Sequence, residues 1–260
     1  MNRARPGTRL SSVAARRRSK PSLVARVRVM WIVLLLAGVS AALAVYAAMM
    51  WPGFYPKMVG VSGERHVSAH EVIQAAGLND RTNLWLQSKR KAEERIEALP
   101  YVKKAALHRR IPARVTIAVT ERTPAALVAL GDGSLALIDD EGRILQRGVE
   151  RSDAYVVFSN LRTPLAPAGT FITDATVGRL LRDAHALAAA GVEVRSMGFE
   201  KFDELSIVTR KGLRVLFGND ADLPQKARLI DPILRTVGSR LGHVAALDLR
   251  APKTPVIVNR

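Results

Sequence analysis

Residues 29–50, VMWIVLLLAGVSAALAVYAAMM, run for 22 positions without a charge. As a helix rising about 1.5 Å per residue, such a run covers roughly 33 Å, enough for the hydrocarbon core of a bilayer. No polar face is visible in it, as a helix packed on a soluble core would show. A cleaved secretory signal has a shorter apolar core and a small-residue cleavage site. Ala47 and Ala48 resemble such a site, but the apolar core is too long and 28 residues of basic chain precede it. The stretch predicts a retained transmembrane helix over 29–50. Trp31, Tyr46 and Trp51 sit near its ends, where amphipathic rings favour the interface.

Charge gives the predicted span a direction. The chain carries a net charge of +17, and residues 1–28 hold nine Arg or Lys with no Asp or Glu. A tail this basic suits nucleic acid in principle. Its position favours another use: Arg16, Arg17, Arg18, Lys20, Arg26 and Arg28 press against the apolar run. Basic flanks hold that side of a span in the cytoplasm and attract anionic lipid. The far flank has only Lys57 before Glu64. The expectation is a cytoplasmic N-terminus, an extracytoplasmic chain over 51–260, membrane lipid as a partner and no nucleic acid. Few large apolar residues in 1–28 predict a disordered tail. The chain has no cysteine, which excludes disulfides and thiolate chemistry.

Residues 51–58 read as a linker, with Pro52, Gly53 and Pro56 ending the helix. Val59 and Val61 alternate with small residues as a short strand. Ser68 and Glu71 have the spacing of a capping box, with Val67 and Val72 as its hydrophobic staple. That helix stops at Gly77. A second helix is predicted over 89–99, closed by Pro100. Val102–His108 and Val115–Val119 follow as strands around a turn at 109–112, completing a β-α-α-β-β block over 59–124. Beyond Pro124 the rhythm changes to hairpins, with turns at Gly131–Gly133 and Asp139–Gly142. Thr176–Ala190 and a segment opening at Asp222-Leu223-Pro224 read as helices. Asp222 is expected to cap the latter, Pro232 to kink it and Gly242 to end it. The final strands are predicted over 244–250 and 256–258. Helices alternating with hairpins imply an α+β fold with a mainly antiparallel sheet.

No catalytic, cofactor or metal site is expected. Asp139, Asp140 and Glu141 precede Gly142 between apolar strands and read as solvated turn residues. His66 and His70 have a metal-pair spacing, but an N-cap at Ser68 puts His66 outside the helix. Gly131-Asp132-Gly133 is not followed by a helix, so it is no phosphate loop. A binding module fits better than an enzyme.

Several short pieces then occur in a telling order. They are Val61-Ser62-Gly63, Leu99-Pro100-Tyr101-Val102 with Ala105, Arg109-Arg110-Ile111-Pro112, Val119-Thr120-Glu121-Arg122-Thr123-Pro124, the run 137–142, and Leu247-Asp248-Leu249-Arg250. With the basic tail and single span, this series resembles the FtsQ/DivIB cell-division family. The resemblance implies a POTRA domain over 59–124 and the family's β domain over 125–260. Val61, Gly63, Leu99, Pro100, Val102, Arg110, Pro112, Glu121, Arg122 and Pro124 would carry the POTRA motif structurally. It also implies a non-enzymatic scaffold in the inner membrane at the division septum, linking early and late division proteins and binding FtsB- and FtsL-like partners. The partner would add a strand near the C-terminus, which nominates Leu247, Asp248, Leu249, Arg250 and Ala251, with Arg250 as the charged contact. Relatives often carry an aromatic after this arginine; this chain has Ala251. POTRA domains also occur in protein transport, but a transmembrane β-barrel would then follow, and about 135 residues with two predicted helices cannot supply one. A membrane-anchored hydrolase is the remaining alternative.

Overall fold

The computed structural model describes residues 23–79, 82–110, 113–238 and 244–259. Two compact units divide after Pro52. The first contains one helix, α1, Leu23–Met49. Its segment Arg26–Ala48 has a mean hydropathy of 2.3, is unburied, and is the one helix among the described residues long and apolar enough to cross a membrane. Residues 23–28, expected to be disordered, are helical instead. Extending a helix requires only the next hydrogen bond, and Arg26 and Arg28 are good helix formers whose stems can lie along apolar surroundings. The rest of the basic tail lies outside the described residues.

The second unit carries two sheets, each with its own core. The first sheet holds β1 (Met58–Ser62), β2 (Val102–Arg110) and β3 (Arg114–Glu121) in the order β1-β3-β2. β1 runs parallel and β2 antiparallel to the central β3. Val115, Ile117 and Val119 are buried while Thr116, Ala118 and Thr120 are exposed, so one face is covered and the other open. The cover is α2 (Ala69–Ala76) and α3 (Lys89–Glu97), whose Val72, Ala76, Ala92 and Ile96 fill the core. The predicted β-α-α-β-β order is the observed one. Arg109 and Arg110, expected in a turn, extend β2, because Arg109 and Arg110 pair across to Val115 and Arg114. Pro112 lies outside the described residues.

Gly63 follows β1 at a φ of +90°, and any side chain there would run into the carbonyl of Val119. The α2 cap forms as its sequence predicts. Ser68 Oγ accepts from the Glu71 N–H at 3.2 Å, and the Ser68 N–H donates to Glu71 Oε2 at 2.9 Å. Val67 and Val72 are buried beside it. Ser68→Ala is expected to cost about 1 kcal/mol, lowering the melting temperature of the 53–260 unit by about 2–4 °C. An unchanged melting temperature in differential scanning calorimetry would remove the cap from the stability argument.

The second sheet contains β4 (Pro124–Leu130), β5 (Leu135–Asp139), β6 (Ile144–Arg147), β7 (Val156–Thr163), β8 (Val194–Phe199), β9 (Leu205–Thr209), β10 (Arg214–Gly218), β11 (Val244–Asp248) and β12 (Val256–Asn259). The order is β12-β11-β10-β9-β8-β7-β4-β5-β6. Most neighbours are antiparallel; β4/β7, β7/β8 and β10/β11 are parallel. The β7/β8 pairing rests on two residue pairs, Val157 with Ser196 and Phe158 with Met197. α4 (Ala175–Ala189) packs on both strands, burying Val177, Leu180 and Leu187. α5 (Leu223–Arg228) and α6 (Ile230–Val237) complete the cover.

Two helix ends differ from expectation. Asp222 precedes α5 but sits in the left-handed region at φ 56° and makes no capping hydrogen bond. The break between α5 and α6 falls at Leu229, with Pro232 in the first turn of α6, where a missing N–H is tolerated. α6 ends at Gly238; Gly242 lies outside the described residues.

Candidate functional site

The segment 247–251 divides by depth. Leu247 and Leu249 are buried in the main core, so they act through packing. Asp248 is the last residue of β11 and half-buried; Arg250 and Ala251 are exposed. Arg250 folds back on Asp248. Its Nε donates to both carboxylate oxygens at 3.1 and 3.0 Å, and its Nη2 donates to Oδ2 at 2.7 Å. The guanidinium beside it holds the Asp248 carboxyl below its ordinary range. Glu204 lies 3.7 Å from Arg250 Nη1 on the other side. Gly218, at φ +69°, lets the Arg250 stem approach: a Cβ there would stand 3.0 Å from Arg250 Cγ.

β11 is not the outermost strand. The chain turns through residues 251–254, where the Thr254 N–H donates to the Ala251 carbonyl at 3.0 Å, and returns as β12. β12 pairs antiparallel with β11, Leu247 opposite Ile257 and Asp248 opposite Val256. Val256, Ile257 and Val258 are all exposed. Among the described residues, no backbone group partners the outer side of β12.

Two other sheet edges are closed by the chain itself. On β2, Glu97 accepts the Ala105 N–H at 3.0 Å and Glu93 accepts the Leu107 N–H at 2.7 Å, so α3 carboxylates occupy the outward donors. On β6, the Ile144 N–H donates to the Thr170 carbonyl and the Gly169 N–H to the Ile144 carbonyl. Against those guarded edges, β12 offers an open ladder lined with β-branched apolar side chains.

Phe202 joins this end of the molecule without any sequence warning. It is 95% exposed, at φ 62°, in the short turn between β8 and β9. An aromatic residue in the left-handed region costs about 1–2 kcal/mol. Glu204, two residues on, is the residue beside Arg250. A lone Phe between Lys201 and Asp203 has no periodicity to flag it. The Val256-Ile257-Val258 run did carry a signal: three consecutive apolar residues after Pro255 leave a strand without a polar face.

The other candidate residues sit where the two sheets meet. Glu121 ends β3 and gathers the chain after Gly63, accepting the N–H groups of Arg65 at 2.7 Å, His66 at 2.9 Å and Val67 at 3.0 Å. The His66 ring, with Nδ1 2.8 Å from Glu121 Oε2, stacks on Tyr101 at 4.9 Å between centroids. Burial alone would push the Glu121 carboxyl up, but these donors outweigh it and bring it down to about 2. Arg122 is buried and donates to Asp139 at 2.6 Å and Glu141 at 2.8 Å. Lys103 reaches Glu141 at 2.9 Å. Of the acidic run 139–141, Asp140 and Glu141 are exposed as expected, but Asp139 is not solvated: it is fully buried and shared between Arg122 and the N–H groups of Glu141 and Arg143. Arg143 Nη2 donates to the carbonyls of Glu97, Ala98 and Leu99, capping the C-terminus of α3 from the second sheet. Val102 opens β2 and is buried in the core of the first sheet, Leu99 and Pro100 lie in the turn before β2, and Pro124 opens β4.

The profile described as "POTRA domain, FtsQ-type" matches residues 54–122. The cell division protein FtsQ of Myxococcus fulvus is 30% identical over 209 residues, covering 77% of this chain and 72% of that protein. FtsQ of Novosphingobium aromaticivorans is 30% identical over 237 residues, 88% of this chain and 70% of the relative. The cell division protein DivIB of Geobacillus kaustophilus is 29% identical over 101 residues, 38% of this chain and 39% of its own length. With the FtsQ-type POTRA profile matched over 54–122 and two relatives 30% identical and covered to more than two thirds, the chain belongs to the FtsQ/DivIB family of cell division proteins.

Proposed function

We propose that this protein is a non-enzymatic scaffold of the division machinery, anchored by α1 with its N-terminus in the cytoplasm and its folded unit outside the membrane at the septum. Its folded unit divides into a POTRA domain over 59–124 and a β domain over 125–260. The β domain captures an FtsB- or FtsL-like partner by strand addition along β12, and so links early and late division proteins. The observation that carries this reading is the open β12 edge with Val256, Ile257 and Val258 exposed, while the edges of β2 and β6 are closed. Backbone hydrogen bonds would supply affinity, and the alternating side chains specificity. Arg250, already braced by Asp248 and Glu204, presents a fixed cation next to that edge, and Phe202 offers a ring that Ala251 does not.

Ile257→Lys with Val258→Lys places two charges on the edge, a device that blocks strand addition. Partner capture by the purified chain is expected to fall by about tenfold or more, equivalent to at least 1.4 kcal/mol, with circular dichroism unchanged. Arg250→Glu is expected to act in the same direction. Unaltered capture by the edge variant would remove β12 as the docking strand. Septal location is tested by depletion in the source bacterium carrying a fluorescent copy. Normal-length cells with evenly spread signal would refute the division role.

A further inference from the structure

One end of the first sheet unit gathers four chain segments. The Leu84 N–H donates to the Phe54 carbonyl at 3.1 Å, and the Lys57 N–H to the Ala113 carbonyl at 2.9 Å. Arg109 Nη2 donates to the Gln87 carbonyl at 2.8 Å, which holds the start of α3 beside the end of β2. Segments 54–58, 84–91, 109–110 and 113–114 therefore share one end of the unit.

That end has an apolar tip. Trp85 is 49% exposed and Leu86 is also exposed, on the turn before α3; Trp85 meets Phe54 edge-on at 6.4 Å between centroids. Met58 is exposed at the start of β1. Around the tip the charge has one sign. The four segments contain no Asp or Glu. Lys89 and Arg90 pair with Glu93 and Glu94 one turn along α3. Lys57, Lys91, Arg110 and Arg114 make no ion pair among the described residues. Arg110 and Arg114 face each other directly across β2 and β3, a like-charge pair that costs stability unless an anion neutralises it.

Exposed tryptophan and leucine ringed by uncompensated cations match an anionic bilayer surface: rings settle at headgroup depth, and Lys and Arg meet the lipid phosphates. Phe54 follows Met49, the last residue of α1, by five residues, a chain that extends at most about 18 Å. We infer that this end of the POTRA unit seats on the membrane, inserting Trp85 and Leu86 at the headgroup level of an anionic leaflet. The inference rests on the reading of α1 as a membrane anchor. The basic flank before α1 lies at the other side of the span, so this face is a second and separate lipid contact.

The test uses the full-length chain with Trp31→Phe and Trp51→Phe, which leaves Trp85 as the only one of three tryptophans. It is reconstituted in vesicles of phosphatidylethanolamine and phosphatidylglycerol with brominated acyl chains. Flotation with the vesicles reports the anchor; quenching of Trp85 reports the face. The expected result is blue-shifted, quenched Trp85 emission, relieved in phosphatidylcholine vesicles. Each cation near an anionic surface is worth about fivefold in partitioning, so Lys91→Glu, Arg110→Glu and Arg114→Glu together should lower the docked fraction at least tenfold. Trp85 emission typical of water in floating protein overturns the inference and leaves the anchor standing. Protection that depends on protein concentration rather than on lipid also overturns it, assigning the face to a protein contact. Failure to float strikes the anchor itself.

Discussion

Asp139→Ala is expected to destabilise the 53–260 unit by about 3–5 kcal/mol, the loss that follows when one partner of a buried ion pair is removed. Asp139 has no exposed surface and takes the Arg122 guanidinium at 2.6 Å. The same carboxylate accepts the N–H of Glu141 at 3.0 Å and of Arg143 at 2.7 Å, so its removal also orphans two backbone donors in the β5–β6 turn. Arg122 would keep its Nε hydrogen bond to the Val102 carbonyl and a single carboxylate, Glu141, which is 44% exposed and shared with Lys103. Glu141→Ala is accordingly expected to cost about 1 kcal/mol or less. Urea unfolding of the two variants separates these cases. A loss below about 1 kcal/mol for Asp139→Ala would mean that solvent or rearrangement replaces the pair. Arg122→Met combined with Asp139→Leu should recover most of the loss, because it removes both buried charges together.

The second large effect is an acid transition. Glu121 is held at about 2 in the folded chain, below the ordinary 4.5 of a free glutamate. A carboxyl with a depressed folded value binds protons more readily when unfolded, so its contribution is complete above about pH 5. That contribution disappears as the pH falls from about 5 toward 2. For a side chain 93% buried, the shift corresponds to about 3 kcal/mol. Glu141 adds to the same trend; its hydrogen bonds to Lys103 and Arg122 hold it near 2, though its exposure screens the effect. Chemical denaturation between pH 5 and 2 should show stability falling with acid. Glu121→Gln should start lower at pH 7 and lose most of the slope. If the variant keeps the parent slope, the donors on Glu121 are not its source.

The elements set by local chemistry were legible in the sequence. The Ser68–Glu71 cap, the Gly77 stop and the alternation of Val115, Ile117 and Val119 depend on neighbours within a few residues. The start of α1 was not, because hydropathy marks where a helix is apolar and not where its hydrogen bonds begin. Asp222 misled for a related reason: it stands at the helix start, but its left-handed backbone turns the side chain away from the capping geometry. The 139–141 run reads as a turn and is one. The burial of Asp139 within it depends on Arg122, which reaches it only once the two sheets meet. The β12 edge was foreseen as short and terminal, whereas Phe202 became visible only through its backbone strain and exposure. Leu247 and Leu249, grouped with Arg250 by their motif, turn inward on alternate positions.

The two-rung contact between β7 and β8 has a mechanical consequence. A strand docked on β12 hands any pull to β11, β10, β9 and β8 through ladders of three or more rungs, and the load then meets the narrowest seam in the sheet. There the hydrogen bonds are too few to carry it alone, and α4, lying across both strands, becomes the strap that shares the tension. Tension from the C-terminal edge would thus load the buried Leu180 and Leu187 of α4 together with the two β7–β8 rungs.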